Sequence, residues 1–177
     1  MFGAGGIGLN IVQAAALVSA GPIIAIDRYD SRLKLAQQMG ATHCINSSSS
    51  DPEQAIQTAL RGQVLDVFID NTGVPTIIEL GYNLTHRQGR VVLVGVPRQG
   101  NMVNLYSLPL HFGKQLTGSQ GGEALPQHDI PRYLRLQQRG QLQLEQLVSA
   151  HYTLEEINNA IRAMRDGATA GRVMIRF

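Results

Sequence analysis

A single cysteine, Cys44, stands among 177 residues, so neither an internal disulfide nor a multi-cysteine zinc site can form within the chain. Aromatic residues make up only 5% of it, and no run of Lys and Arg builds a basic patch. Those two lacks argue against a nucleic-acid surface, which needs stacking platforms and a positive stripe. A net charge of +2 is too small and too scattered to favour an anionic membrane. Apolar runs stay far shorter than a bilayer span, and the N-terminus has no signal-peptide pattern. The expectation is a cytoplasmic protein with neither nucleic acid nor membrane as a partner.

What is present is an ordinary globular composition, 44% apolar and 16% charged, with an informative first segment. Gly3-Ala4-Gly5-Gly6-Ile7-Gly8 reads G-x-G-x-x-G at the opening of an apolar helix, and Asp27 follows nineteen residues after Gly8. That spacing is a dinucleotide-binding fingerprint. Gly3 would make the tight exit from a strand, Gly5 would let the backbone approach a pyrophosphate, and Gly8 would let the helix lie close on the sheet. The helix N-terminus adds unpaired N–H groups and a partial positive charge. Asp27 would accept hydrogen bonds from a free ribose and repel a 2′-phosphate, favouring NAD over NADP. Arg28 and Arg32 pull the other way, being cations of the kind that accommodate such a phosphate. Only Met1 and Phe2 precede the loop. The first central strand is therefore almost entirely missing, and the expectation is a truncated domain, marginal on its own or held by self-association.

Periodicity and punctuation set out the remaining elements. A helix from Gly6 to Ser19 carries an apolar stripe of Ile7, Ile11, Val12, Ala15 and Val18. A strand at Ile23–Asp27 precedes a helix at Ser31–Met39, capped by Asp30 and stopped by Gly40. A strand at Thr42–Ile45 would bury Cys44. A helix at Pro52–Leu60, a strand at Val64–Asp70, a helix at Thr76–Leu84 and a strand at Arg90–Val96 follow. This alternation predicts an α/β doubly wound parallel sheet of Rossmann type. A strand at Gln115–Ser119, a helix at Asp129–Arg139 and a mixed stretch at Leu144–Tyr152 come next. Thr153-Leu154-Glu155-Glu156 forms a capping box ahead of a helix with Leu154, Ile157, Ile161 and Met164 on one face. Gly167 ends that helix, and Arg172–Phe177 is the last strand. With no repeat and no linker, residues 1–177 form one domain.

In this order and spacing the chain resembles the coenzyme-binding domain of the medium-chain dehydrogenases/reductases, in their zinc-dependent alcohol dehydrogenase branch. The resemblance lies in Phe2–Leu9, Ile23–Asp27, Met39–Asn46, Asp66–Gly73, Val91–Pro97 and Ala170–Phe177. It implies that Gly3, Gly5, Gly6, Ile7 and Gly8 face a pyrophosphate, Asp27 the adenosine ribose, and Arg32 its edge. Asn71, Thr72 and Gly73 would line the adenine side. Val94, Gly95 and Val96 would hold the nicotinamide carboxamide, with Ser119 and Gln120 adding backbone contacts and Arg172 reaching a phosphate oxygen. The implied cofactor is NAD, and the implied partner a second copy paired through the strand near Gln115–Ser119. The family's catalytic zinc would be held in an N-terminal catalytic domain absent here. The five histidines show no ligand spacing, so neither catalytic nor metal residues are expected in this chain. A stand-alone or degenerate NAD-binding module without catalysis is the alternative. A methyltransferase using S-adenosylmethionine shares the glycine-rich loop but need not keep G-x-G-x-x-G.

Overall fold

The computed structural model describes all 177 residues. Helix α1 (Gly6–Leu17) leads to strand β1 (Ile24–Asp27), helix α2 (Asp30–Gln38) and strand β2 (His43–Asn46). Helix α3 (Pro52–Leu60), strand β3 (Leu65–Asp70), helix α4 (Pro75–Leu84) and strand β4 (Thr85–Leu93) continue the alternation, and strand β5 (Gln115–Gly118) ends it. Helix α5 (Pro126–Gln138), strand β6 (Val148–Thr153), helix α6 (Ile157–Arg165) and strand β7 (Arg172–Arg176) complete the chain. Every strand pairing is parallel, as the strand–helix alternation requires.

The principal sheet consists of two ribbons, β1 with β2 and β3-β4-β5. Phe2 joins them, lying parallel to Ile26 on one side and to Asp70 on the other. Its N–H donates to the Ile69 carbonyl at 2.9 Å and its own carbonyl accepts from the Asn71 N–H at 2.9 Å. On the other side the Gly3 N–H donates to Ile26 at 2.8 Å and the Ile26 N–H to Met1 at 3.0 Å. The strand order is thus β2-β1-Phe2-β3-β4-β5. Residues Met1–Gly3 occupy the central position of this sheet, bonded to β1 on one side and β3 on the other. The Met1 amine itself donates to the Ile24 carbonyl at 2.8 Å, and its burial pushes its pKa down from 8.0 to about 5.

Alternation along β1 feeds both faces of this sheet. Ala25 joins Ala4, Leu9, Val12, Leu33 and Ala36 under α1 and α2, whereas Ile24 and Ile26 join Phe2, Ile56, Phe68 and Tyr82 under α3 and α4. All four residues of β1 are buried, as a run of continuous apolar character predicts for a strand covered on both sides.

Several elements differ from the sequence expectation. Asp30 is the first residue of α2 rather than its cap. Tyr29 holds the cap position, and the Asp30 carboxylate accepts from the Asn46 side chain at 2.6 Å. Cys44 is exposed, because β2 is an edge strand. Its thiol donates to the Leu33 carbonyl at 3.3 Å, and the partial desolvation there pushes its pKa up. Strand β4 stops at Leu93 because the N–H groups of Val94 and Gly95 both turn to the Asp70 carbonyl, at 2.8 and 3.0 Å. On α1 the buried face is Gly8, Leu9, Val12 and Gln13, while Ile7 and Val18 are exposed. Of the capping box, the Glu156 carboxylate accepts from the Thr153 N–H at 2.9 Å, but α6 starts only at Ile157. Leu154, Ile161 and Met164 are exposed. Finally, the stretch read as mixed at Leu144–Tyr152 contains most of strand β6, which pairs with β7 in a separate two-stranded sheet.

Candidate functional site

The glycine loop leaves the sheet at Phe2, between β1 and β3, the point where successive connections diverge to opposite sides. Crevices at this position, outside the carboxyl ends of parallel strands, are where open α/β sheets take ligands. Gly3 turns the chain with φ +94°, a conformation that excludes most side chains. A Cβ on Gly8 would stand 2.1 Å from the Gly3 carbonyl oxygen, so only glycine lets α1 close on the loop.

Gly5 is different. Its φ of −73° suits any residue, and nothing in the protein lies within 4 Å of where a Cβ would be. The fold does not need glycine there; the bare backbone leaves open space beside the helix start. The first helical bond runs from the Leu9 N–H to the Gly5 carbonyl at 2.9 Å, and the N–H groups of Gly6, Ile7 and Gly8 donate to no protein acceptor. Arg172, at the start of β7, lies over this end of the helix. A Cβ on Gly6 would meet its Nε at 2.6 Å. Free amides, a helix N-terminus, a guanidinium and open room converge there, and that set fits a diphosphate.

Asp27 is only 4% exposed. Its Oδ2 accepts from the Ala4 N–H at 2.8 Å and its Oδ1 from the Tyr29 N–H at 3.0 Å, so the carboxylate ties the glycine loop to the end of β1. Arg32 Nη1 stands 3.6 Å from Oδ2. Arg32 also lies over the Tyr29 ring at 4.7 Å, with Arg28 at 5.3 Å from the same ring, and its buried Nε has no hydrogen-bond partner. Asp27 is therefore no solvent-facing strand end.

The next strand ends repeat the device. Asp70, fully buried, accepts from the Thr72 hydroxyl at 2.6 Å, the Thr72 N–H at 3.0 Å and the Gly73 N–H at 2.8 Å. The Asn71 side chain donates to the Gly3 carbonyl at 3.0 Å, joining this turn to the glycine loop. Gly73 (φ +69°) and Gly95 interlock backbone to backbone. A Cβ on Gly73 would lie 2.6 Å from the Val96 oxygen, and one on Gly95 2.3 Å from the Gly73 nitrogen. Val96 itself is almost fully exposed.

The structure thus gathers Gly3, Gly5, Gly6, Gly8, Asp27, Arg32, Asn71, Thr72, Gly73, Gly95 and Arg172 along one edge. Ile7 lies in the first turn of α1 with a half-exposed side chain, and Arg28 reaches the group only through Tyr29. Ser119 follows β5, its N–H on the Leu93 carbonyl at 2.8 Å and its hydroxyl accepting from the Gly122 N–H at 3.2 Å. Neither it nor the exposed Gln120 is hydrogen-bonded to the glycine loop. Asp70 and Tyr29 were missed as site-builders. Asp70 carried the same signal as Asp27, an acid closing an apolar strand. No group of three or more His, Cys, Asp or Glu side chains is placed to hold a metal ion, so the residues present do not fit a zinc centre. No helix is long and apolar enough to cross a membrane.

Comparison with known proteins agrees with this geometry. Residues 6–139 match the family described as zinc-binding dehydrogenase. An NDMA-dependent alcohol dehydrogenase from Amycolatopsis methanolica is 33% identical over 94% of this chain and 46% of its own length. An S-(hydroxymethyl)glutathione dehydrogenase from Synechocystis sp. is 33% identical over 98% of this chain and 48% of its own. The crystal structure of benzyl alcohol dehydrogenase from Acinetobacter calcoaceticus superposes with a TM-score of 0.88 at 36% identity, covering 99% of this chain and 48% of that one. The chain spans about half the length of the curated relatives it matches. It belongs to the zinc-binding dehydrogenase family, where it corresponds to the coenzyme-binding domain of the alcohol dehydrogenases.

Proposed function

We propose that residues 1–177 act as one coenzyme-binding domain, taking NAD in preference to NADP, for an oxidoreductase that interconverts an alcohol and a carbonyl compound. The observation that carries this reading is the anion cradle at α1: three unpaired amides at Gly6, Ile7 and Gly8, room at Gly5, and Arg172 above. These groups would hold the diphosphate, and Asp27 with Arg32 would face the adenosine ribose. Asn71, Thr72 and Gly73 would border the adenine side, and Val94, Gly95 and Val96, with Ser119 and Gln120 further out, the nicotinamide side. A nicotinamide ring bound there supplies hydride transfer. The residues of this chain bind and orient; none is assigned an acid, base or metal role.

Catalytic groups would come from a separate domain. Surface area supports that view. A compact monomer of 19.2 kDa exposes about 8,400 Å² by the usual mass scaling, whereas this chain exposes 11,287 Å². A homodimer through the free edge of β5 belongs to the same proposal, since Gln115, Thr117 and Gly118 are exposed and β5 pairs only with β4. Light scattering at increasing concentration should show a dimer, and a monomer throughout would remove that part.

Titration of the purified chain with NADH and, in parallel, NADPH, followed by ligand fluorescence, tests the main reading. Saturable binding that favours NADH is expected. A folded chain, judged by far-UV circular dichroism, that binds neither would refute it.

A further inference from the structure

Tyr29 sits where three parts of the molecule meet. Its N–H donates to Asp27 Oδ1 at 3.0 Å, and its ring carries the Arg32 guanidinium at 4.7 Å. The same ring rests on Gly167, the residue that ends α6 with φ +70°. A Cβ there would lie 2.3 Å from the ring Cζ and 2.4 Å from Cε1. Five residues later, Arg172 lies over Gly6. Between them Gly171 (φ +75°) packs its bare backbone against the Leu147 carbonyl, with Leu35 of α2 at 3.4 Å from its Cβ position.

Apart from these contacts the unit is tied to the body at its entry, where Leu147 joins the core under α1 and α2 and the Gln143 N–H donates to Gln13 Oε1 at 2.7 Å. Helix α6 buries only Ala160, and β6 and β7 pair with each other rather than with the main sheet. The placement of Arg172 therefore rests on its pairing with Val148, next to the buried Leu147, and on the close contacts of Gly167 and Gly171.

We propose that Tyr29 is a positioning residue whose ring, seated on Gly167, registers the β6–α6–β7 unit so that Arg172 covers the N-terminus of α1. The same ring keeps Arg32 on Asp27, so one contact sets both the diphosphate and the ribose ends of the site. This rests on the dinucleotide reading above.

The test compares Gly167→Ala, Tyr29→Ala and Tyr29→Phe with the parent chain. Alanine at 167 is strained at positive φ and displaces the ring; Tyr29→Ala removes it; phenylalanine keeps it. NADH dissociation constants should rise roughly tenfold or more in the two alanine variants, the scale of one charge-assisted hydrogen bond. Tyr29→Phe should bind as the parent does. The double variant should bind no more weakly than the worse single one, because both break one contact.

Amide hydrogen exchange without coenzyme supplies a second readout. In both alanine variants residues 168–177 should exchange faster while β1 and β3 keep their protection, which also certifies that the variants fold. Additive effects, or parental NADH affinity in folded alanine variants, would overturn the positioning role and leave the dinucleotide reading standing. A folded parent chain that binds neither NADH nor NADPH would bring down both.

Discussion

Two glycines of the same loop separate folding from binding. Gly8→Ala would drive a Cβ to 2.1 Å from the Gly3 oxygen, and overpacking of that kind typically costs about 1–3 kcal/mol or more. Gly5→Ala meets open space at an ordinary φ, so only helix capping suffers, by ~1 kcal/mol at most. Urea unfolding should therefore show a large loss for Gly8→Ala and a small one for Gly5→Ala, while Gly5→Ala still weakens NADH binding by filling the cradle. Equal stability losses would contradict this division. Asp70→Ala leaves the Thr72 and Gly73 amides without their acceptor, one of them buried. About 2–4 kcal/mol of stability should go with it, read as a lower urea midpoint at unchanged slope.

Among the elements, helix α4 depends on a residue far from it in sequence. Lys114, 7% exposed, enters β5 and donates to the carbonyls of Tyr82 and Thr85, with its ammonium 4.2 Å from the centre of the Tyr82 ring. These are carbonyls at the helix C-terminus, where a cation complements the partial negative charge. Lys114→Met keeps the stem and removes the donors, so thermal unfolding should record a loss of about 1–3 kcal/mol. Desolvation lowers the Lys114 pKa, so the native state holds this proton less tightly than the unfolded chain. Stability from this group accordingly rises with pH as 10.5 is approached. The same scale explains why the α1 stripe was misjudged. Nearly every position of Gly6–Leu17 is apolar or small, so periodicity gave the helix but not its buried side. The Gly8–Gly3 contact chose that side. Likewise α5, with no buried residue, leaves Ile130, Tyr133 and Leu134 exposed, a pattern that period alone reads as core.

For the molecule as a whole, a free amine at Met1 would couple stability to pH. In a chain that begins with a free amine at Met1, folding lowers that group from 8.0 to about 5, because burial disfavours the charged form. Between those values the unfolded state binds more protons, so stability rises with pH through the window. The penalty is absent above about pH 8 and reaches on the order of 4 kcal/mol below about pH 5. Urea midpoints from pH 5 to 8.5 should climb for the free chain and lose this component when Met1 is acetylated. An identical slope in the acetylated chain would place the titration elsewhere.

The alternating parallel fold and the glycine loop with its acidic companion were legible in the residues alone. Each of these is written in local chemistry: backbone freedom at glycine, periods of 2 and 3.6, and punctuation by Gly and Pro. Burial of Asp27 and Asp70 came from the packing of elements: Asp27 takes the Ala4 N–H from the distant glycine loop, and Asp70 is enclosed although its donors, Thr72 and Gly73, lie in its own turn. The tertiary structure alone brought Arg172 across 166 residues to Gly6 and set Tyr29 on Gly167. Contacts of that separation follow from how whole elements pack, and no local pattern encodes them.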